Sequence, residues 1–200
     1  MCSNVSGIVL AGGSSSRLGQ NKALVRVAGR SLIERVLDVL SPLISDVWLV
    51  TQNGYDAELF AGLGLPIVID IYSGAGTLGG LHAGLSAMRT EYGLVVGCDM
   101  PFLNADLLGF MISQTRGYDV VMPRIGKYHE PLHALYARRC VPAMERSIQA
   151  GRRRILHALS DARIRYIEEA EVDHFDPSRL SFFNVNTPEE LERARALLTP

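Results

Sequence analysis

The chain has 200 residues, 48% of them hydrophobic, enough to bury one sizeable core and little more. Its 20 Lys and Arg against 21 Asp and Glu leave a net charge of -1, so no general field draws a polyanion and nucleic acid is not an expected partner. Cys2, Cys98 and Cys140 are odd in number and lack a Cys-x-x-Cys pair, so neither a disulfide framework nor a zinc knuckle follows from them. Cys98 sits in an apolar run and reads as a buried, reduced thiol of a cytoplasmic protein. The apolar run from Ile8 ends at once in glycine and serine, unlike a signal peptide. No run reaches the ~20 apolar residues of a membrane span, so a soluble protein is expected.

In chain order, residues 5–11 read as a first strand, followed by a glycine- and serine-rich loop over 12–19. A helix is expected near Ser31, which forms a Ser-x-x-Glu capping box with Glu34; Leu32, Ile33, Val36, Leu37 and Leu40 then recur at helical spacing. Strands are expected at 47–51 and 66–70, with a short helical stretch over 57–61 between them. The glycine-rich segment 73–80 leads into a helix ending near Thr90, and 92–98 reads as a strand stopping at Asp99. Asn104 is a plausible N-cap. Further strands are expected at 120–122, 133–136, 165–167 and 182–183, and a helix from about Val141 to Gly151. The last helix opens at Thr187, with Pro188 in its first position and Glu190 closing a second capping box. Strands alternating with helices, with unbroken apolar runs in the early strands, indicate an α/β fold with a mostly parallel sheet covered on both faces. No linker divides the chain, so one domain over 1–200 is expected. In such sheets ligands bind beyond the carboxyl ends of the strands.

The loop after the first strand reads LAGGSSSRLGQNK, from Leu10 to Lys22. Its glycines allow the backbone to approach a phosphate, and consecutive N–H groups can form an anion nest. Arg17 adds a planar fork of donors and Lys22 a point charge. An ordinary flexible turn would carry the glycines and serines equally well; the two cations in the same loop favour phosphate binding. The spacing is not that of a Walker A loop.

Two other motifs compete. Gly74 to Gly79, GAGTLG, matches Gly-x-Gly-x-x-Gly, with Asp99 ~20 residues on, as in dinucleotide-binding units. However, a complete strand–helix–strand block with its own glycine loop already precedes it. His129 to His133, HEPLH, matches the zincin pattern, but that pattern needs a helix and Pro131 costs ~3 kcal/mol in one. As an extended segment it would put His129 and His133 on one face, in a substrate-contacting or a structural role. Asp99, at the end of an apolar strand, is expensive to desolvate without a cation or donors nearby. One or two carboxylates completed by substrate phosphates make a typical Mg²⁺ site. Asp70 ends another strand on the same sheet edge, either as a ligand contact or as a turn cap.

With the LAGG-x-x-x-Arg-Leu-Gly-x-Asn-Lys loop, the turn Cys98-Asp99-Met100-Pro101-Phe102 and the C-terminal Asn184-Val185-Asn186-Thr187-Pro188-Glu189-Glu190, the chain resembles the molybdenum cofactor guanylyltransferases over nearly its whole length. The resemblance implies a three-layer Rossmann-like nucleotidyltransferase fold. It also implies transfer of GMP from GTP to the terminal phosphate of Mo-molybdopterin, with Mg²⁺ and release of pyrophosphate, in the cytoplasm. By it, Leu10, Ala11, Gly12 and Asp70 would serve the nucleotide, Lys22 its phosphates, Asp99 the metal, and Asn184 and Asn186 the pterin side; Gly13 and Gly79 join the candidate nucleotide residues, and Arg17 joins Lys22 and Asp99 as candidate catalytic residues. Transient contact with proteins that supply molybdopterin and with molybdoenzymes that accept the product is implied too. The chain departs from the family pattern at Leu18 (for Met), Asn21 (for Asp) and Thr77 (for Pro). A cytidylyl or sugar-phosphate nucleotidyltransferase, and a non-catalytic nucleotide-binding module, are the alternatives; Gly13, where the cytidylyl branch looks like Leu-Ala-Ala-Gly, favours guanine. Attack by a phosphate oxygen that is already anionic needs no general base, which suits a chain without a Ser-His-Asp set.

Overall fold

The computed structural model describes residues 4–12, 21–72 and 74–198. Strand β1 (Val5–Leu10) is buried at every position, as a central parallel strand must be. A small antiparallel hairpin follows, β2 (Arg26–Val27) and β3 (Arg30–Ser31), which the sequence did not announce. Its turn places both Ala28 and Gly29 at positive φ. Helix α1 (Leu32–Leu40) starts where the capping box was expected: Ser31 N–H donates to Glu34 Oε2 at 2.6 Å, and the Ser31 hydroxyl accepts from Glu34 N–H.

Strand β4 (Val47–Thr51), helix α2 (Gly54–Leu59) and strand β5 (Ile67–Ile69) come next. Helix α2 begins earlier than the expected 57–61, because the Asn53 side chain caps it by accepting Asp56 N–H at 2.8 Å. Helix α3 (Thr77–Ala87), strand β6 (Tyr92–Gly97) and the Asn104-capped helix α4 (Ala105–Ser113) follow. Strands β7 (Val120–Ile125), β8 (Tyr128–His129) and β9 (His133–Ala137) then precede helices α5 (Val141–Gln149) and α6 (Ile155–Ala158). Gly151, at φ 72°, follows α5 in the left-handed conformation. Strand β10 (Ile164–Glu168), helix α7 (Glu169–Phe175) and helix α8 (Pro188–Leu198) complete the chain.

The main sheet runs β10-β7-β9-β6-β1-β4-β5, with β8 paired to β7. Strand β9 is antiparallel to both its neighbours; the other neighbouring pairs along this path are parallel. Alternation along β1 sends Ile8 to one face and Gly7 to the other. A Cβ on Gly84 of α3 would lie 2.5 Å from Ile8 Cγ2, while one on Gly7 would meet Leu40 of α1 at 3.7 Å. Helices therefore cover both faces, as the α/β reading requires.

Two sequence expectations are corrected. Residues 182–183 are not a strand: Leu180–Phe182 is a 3₁₀ turn, entered through Arg179 at φ 55°. The buried Asp176 carboxylate enforces it by accepting N–H bonds from Leu180 at 3.3 Å and Ser181 at 2.8 Å. His129 and His133 do not share the face of one strand. His129 ends β8, His133 opens β9, and Pro131 and Leu132 turn the chain between them.

Candidate active site

Strand β1 has β4 on one side and β6 on the other, both parallel to it. The connections leaving β1 and its neighbours diverge there, which opens a crevice at the carboxyl edge of an α/β sheet. A cleft of about 400 Å³ lies at this place. Leu10 at the end of β1 and Gly12 after it, Thr51 and Gln52 at the end of β4, Asp70 after β5 and Asp99 after β6 line it. Lys22, Thr77, Leu132, Asn184 and Asn186 enclose it from other elements.

Glycines create the space for polar side chains here. A Cβ on Gly12 would lie 2.6 Å from Gln52 Cγ and 3.3 Å from the Gln52 backbone nitrogen, so glycine alone lets these two strand ends close together. Gly79, in the first turn of α3, stands behind the cleft wall, where a Cβ would lie 2.4 Å from Asp70 Oδ2. The other Asp70 oxygen accepts Tyr72 N–H at 2.8 Å. Burial pushes the Asp70 carboxyl above its ordinary pKa. Ala11 is buried, its N–H donating to Val50 O at 2.8 Å.

The cation at the centre is carried by the small second core. Val25, Val27 and Leu32 pack against Val185, Leu191 and Ala194 of the C-terminal segment, with Phe102 and Phe183 beside them. This cluster ties the 3₁₀ turn Lys22–Leu24 to the turn before α8. Lys22 Nζ consequently donates to Asp99 Oδ2 at 2.6 Å and to Asn186 Oδ1 at 2.9 Å. Val185 N–H donates to Asp99 O at 2.9 Å, fastening the two turns backbone to backbone. The capping box of α8 is formed, with Glu190 accepting N–H bonds from Asn186 at 2.7 Å and Thr187 at 3.0 Å. Asn186 is thereby held at a helix start, and Asn184 donates to Phe182 O at 3.0 Å.

The residues read from the sequence thus fall into three groups. Leu10, Gly12, Lys22, Asp70, Asp99, Asn184 and Asn186 line the cleft; Ala11 and Gly79 support its wall; Gly13 and Arg17 lie outside the described residues. Gln52, Thr77 and Leu132 line the cleft without having been singled out as ligands, though Gln52 stood directly after a predicted strand. Of the rival motifs, GAGTLG belongs to the cleft wall, with Gly76 and Thr77 lining it, while the histidines of HEPLH serve other ends. Gly74 and Gly76 take positive φ in the loop before α3, and Gly79 makes room for Asp70. His133 is wholly buried against Phe182, ring centroids 4.9 Å apart, and burial pushes it down to about 4. His129 packs beside Tyr166 at 5.3 Å. The Cys98 thiol is pushed up to about 12 by burial, which makes it inert as a nucleophile. Among the described residues no three His, Cys, Asp or Glu side chains group as a metal cage.

A three-layer α/β fold with this strand order, opening a glycine-walled polar cleft at the carboxyl ends of its parallel strands, is that of a Rossmann-like nucleotidyltransferase. The signature described as a MobA-like NTP transferase domain matches residues 7–164. The chain is 38% identical over 96% of its length to a "probable molybdenum cofactor guanylyltransferase" of Pelotomaculum thermopropionicum, covering 92% of that protein. It is 37% identical over 97% of its length to the molybdenum cofactor guanylyltransferase of Desulfosudis oleivorans, covering 96% of it. Among solved structures, molybdopterin-guanine dinucleotide biosynthesis protein A from Archaeoglobus fulgidus superposes with a TM-score of 0.84 at 32% identity. The alignment covers 96% of this chain and 97% of that one. The chain belongs to the MobA-like nucleotidyltransferase family, on the molybdenum cofactor guanylyltransferase branch.

Proposed function

We propose that this chain transfers GMP from GTP to the terminal phosphate of Mo-molybdopterin and releases pyrophosphate. The observation that carries the reading is the Lys22 ammonium, held in the cleft between Asp99 at 2.6 Å and Asn186 at 2.9 Å. It joins the strand-end acid to the C-terminal asparagine segment, so one cation serves both sides of the cleft. The names of the full-length relatives agree with that assignment of substrates.

In the reaction, a terminal phosphate oxygen of the pterin substrate attacks the α-phosphorus of GTP. A new P–O bond forms there, the bond from the α-phosphorus to the bridging oxygen breaks, and pyrophosphate leaves with that electron pair. The nucleophile is already anionic, so no side chain need take a proton. Catalysis then rests on alignment and on neutralising charge at the α-phosphate and the departing pyrophosphate. Lys22 supplies a point charge at that position, and Arg17 is the second cation of the same loop. Gly12 lets the backbone close on the nucleotide, and Asp70 offers an acceptor for N–H or O–H donors of the nucleoside.

The donor set also fits Mg²⁺. Asp99 presents one carboxylate at the cleft and would hold the ion, which commonly takes one or two protein carboxylates beside substrate phosphates and water. When bound, the metal would neutralise phosphate charge, with Asp99 holding it. No helix among the described residues is long and apolar enough to cross a membrane.

The test is pyrophosphate release by purified protein, with GTP, CTP and ATP compared and molybdopterin present or omitted. Release from GTP well ahead of the other two, and only with molybdopterin, supports the proposal. Comparable turnover with CTP would move the chain to cytidylyl transfer; no release with any nucleotide would leave a binding module.

A further inference from the structure

Asp70 reaches the cleft from the end of a short edge strand, and the loop after it leads into α3 through Gly74 and Gly76, both at positive φ. Glycine accepts that conformation without side-chain restraint, so contacts from neighbouring elements add to the loop's own hydrogen bond from Ala75 N–H to Tyr72 O at 3.0 Å. Tyr72 makes contacts in three directions. Its backbone N–H donates to Asp70 Oδ1 at 2.8 Å. Its ring meets the imidazole of His82, on α3, edge to face with centroids 5.0 Å apart. Its hydroxyl donates at 2.9 Å to Glu145 Oε1 on α5, 73 residues further along the chain. His82 is buried, with Nδ1 unpartnered among the described residues, so its ring contributes packing here rather than a hydrogen bond from that nitrogen. Tyr72 and Glu145 both stand outside the cleft lining, yet Tyr72 links Asp70 with both helices.

We propose that Tyr72 and Glu145 are positioning residues for nucleotide binding: their hydrogen bond clamps the loop after β5 onto α5 and so holds the Asp70 carboxylate and the start of α3 in the cleft wall. This rests on the nucleotide reading of the cleft. It adds to that reading a pair that touches no substrate and acts through Asp70.

The chemistry separates positioning from plain stability. Tyr72→Phe keeps the ring against His82 and removes only the hydroxyl. Loss of one such hydrogen bond corresponds to a roughly three- to tenfold effect. The dissociation constant for Mg-GTP, measured by titration calorimetry, should rise by that factor, and KM for GTP with it, while kcat stays unchanged. Glu145→Gln retains an acceptor and should bind GTP like the parent protein; Glu145→Ala should match Tyr72→Phe, and the double variant should be no weaker than either. In ligand-free protein, the backbone amides of residues 71–78 should exchange with deuterium faster in Tyr72→Phe than in the parent. Unchanged GTP affinity and unchanged exchange in Tyr72→Phe would overturn the proposal. So would a lower melting temperature with unaltered affinity, the signature of a merely structural bond. Failure of the nucleotide reading looks different: the parent protein itself would bind no GTP, and this inference would fall with it.

Discussion

The two halves of the sheet treat polar groups in opposite ways. Around β7, β9 and β10 the charged side chains are completed by the protein. Arg165 forks onto Glu171 at 3.1 and 2.5 Å, Arg179 holds Asp173 at 2.6 and 2.8 Å, and Arg124 pairs with Glu168 at 2.6 Å. These pairs are half-exposed, so each adds little stability. Along the carboxyl ends of β1, β4, β5 and β6 the polar groups instead face a cleft, and glycines at 12, 79 and 97 stand where side chains would crowd them. The difference teaches where to look for chemistry: the Lys22–Asp99 pair is closed too, at 2.6 Å, but unlike the others it lines a cleft, where a ligand can reach it. His133 cuts across the pattern, since it lies in the finished half yet both its ring nitrogens are buried without a hydrogen-bond partner among the described residues.

The largest effect should come from the cleft. Asp99→Asn keeps the turn but removes the carboxylate charge that Lys22 contacts and that the proposed metal needs. Pyrophosphate release should fall by roughly 10²–10³-fold or more, by analogy with removing one transition-state contact, while thermal unfolding shows an intact fold. Near-normal turnover in a folded variant would make Asp99 a turn cap and erase the contrast between the halves.

His133 tests the finished half. Its imidazole is pushed down to about 4 from an ordinary 6.5, so the unfolded chain takes up the proton first as pH falls. Its neutral burial is therefore fully compatible with stability above about pH 6.5, and stability is lost as the pH drops from there toward 4. By linkage, that contribution costs about 2–3 kcal/mol by pH 4.5. His133→Leu, which removes the buried nitrogens, should flatten the acid limb of urea-denaturation stability by that amount. Equal slopes in both proteins would show that the histidine is not protonated on unfolding in that range.

Two glycines of α3 sharpen the comparison at smaller scale. Gly84→Ala would drive a Cβ to 2.5 Å from Ile8 Cγ2 and 3.1 Å from Val50 Cγ2, a core overlap that should cost about 1–3 kcal/mol of stability and leave GTP affinity alone. Gly79→Ala meets the Asp70 carboxylate, Oδ2 at 2.4 Å, and must push it from its place, while alanine favours the helix by up to ~1 kcal/mol. Stability should hold or rise, and GTP affinity should fall by about tenfold at most, the loss of a single hydrogen-bonding group. The opposite outcome, with Gly79→Ala unfolding and Gly84→Ala losing GTP, would mean that the cleft has been placed on the wrong side of the helix.

What could be read from the sequence was local. The capping boxes at Ser31 and Thr187 and the Asn104 cap declare themselves within four residues, and the apolar runs of β1, β4 and β6 within six. The order of strand, glycine loop and strand-end acid therefore announced the fold class and the sheet edge that carries the cleft. What stayed hidden depends on partners far apart. GAGTLG matched a dinucleotide-binding pattern, which did not show that its last glycine makes room for Asp70, nine residues earlier across a loop. The apolar pair at 182–183 looked like a strand because nothing nearby shows that Asp176 will bind the N–H groups of Leu180 and Ser181. Helix α7 was missed because its acid-rich start is stabilised by a box between Glu168 and Glu171, side chains that propensity alone does not single out. HEPLH was legible as non-helical through Pro131, but not as a turn between two strands.

The measurement closest to the central claim is steady-state kinetics of Lys22→Ala, with GTP varied, molybdopterin saturating and a melting curve beside it. If Lys22 stabilises charge that develops on the departing pyrophosphate, kcat should fall by roughly 10²–10³-fold, about 3–4 kcal/mol, as KM rises. A raised KM with unchanged kcat would reduce the lysine to a binding residue. With neither parameter altered, the cleft between β1 and β6 would not be the place where the phosphate is transferred.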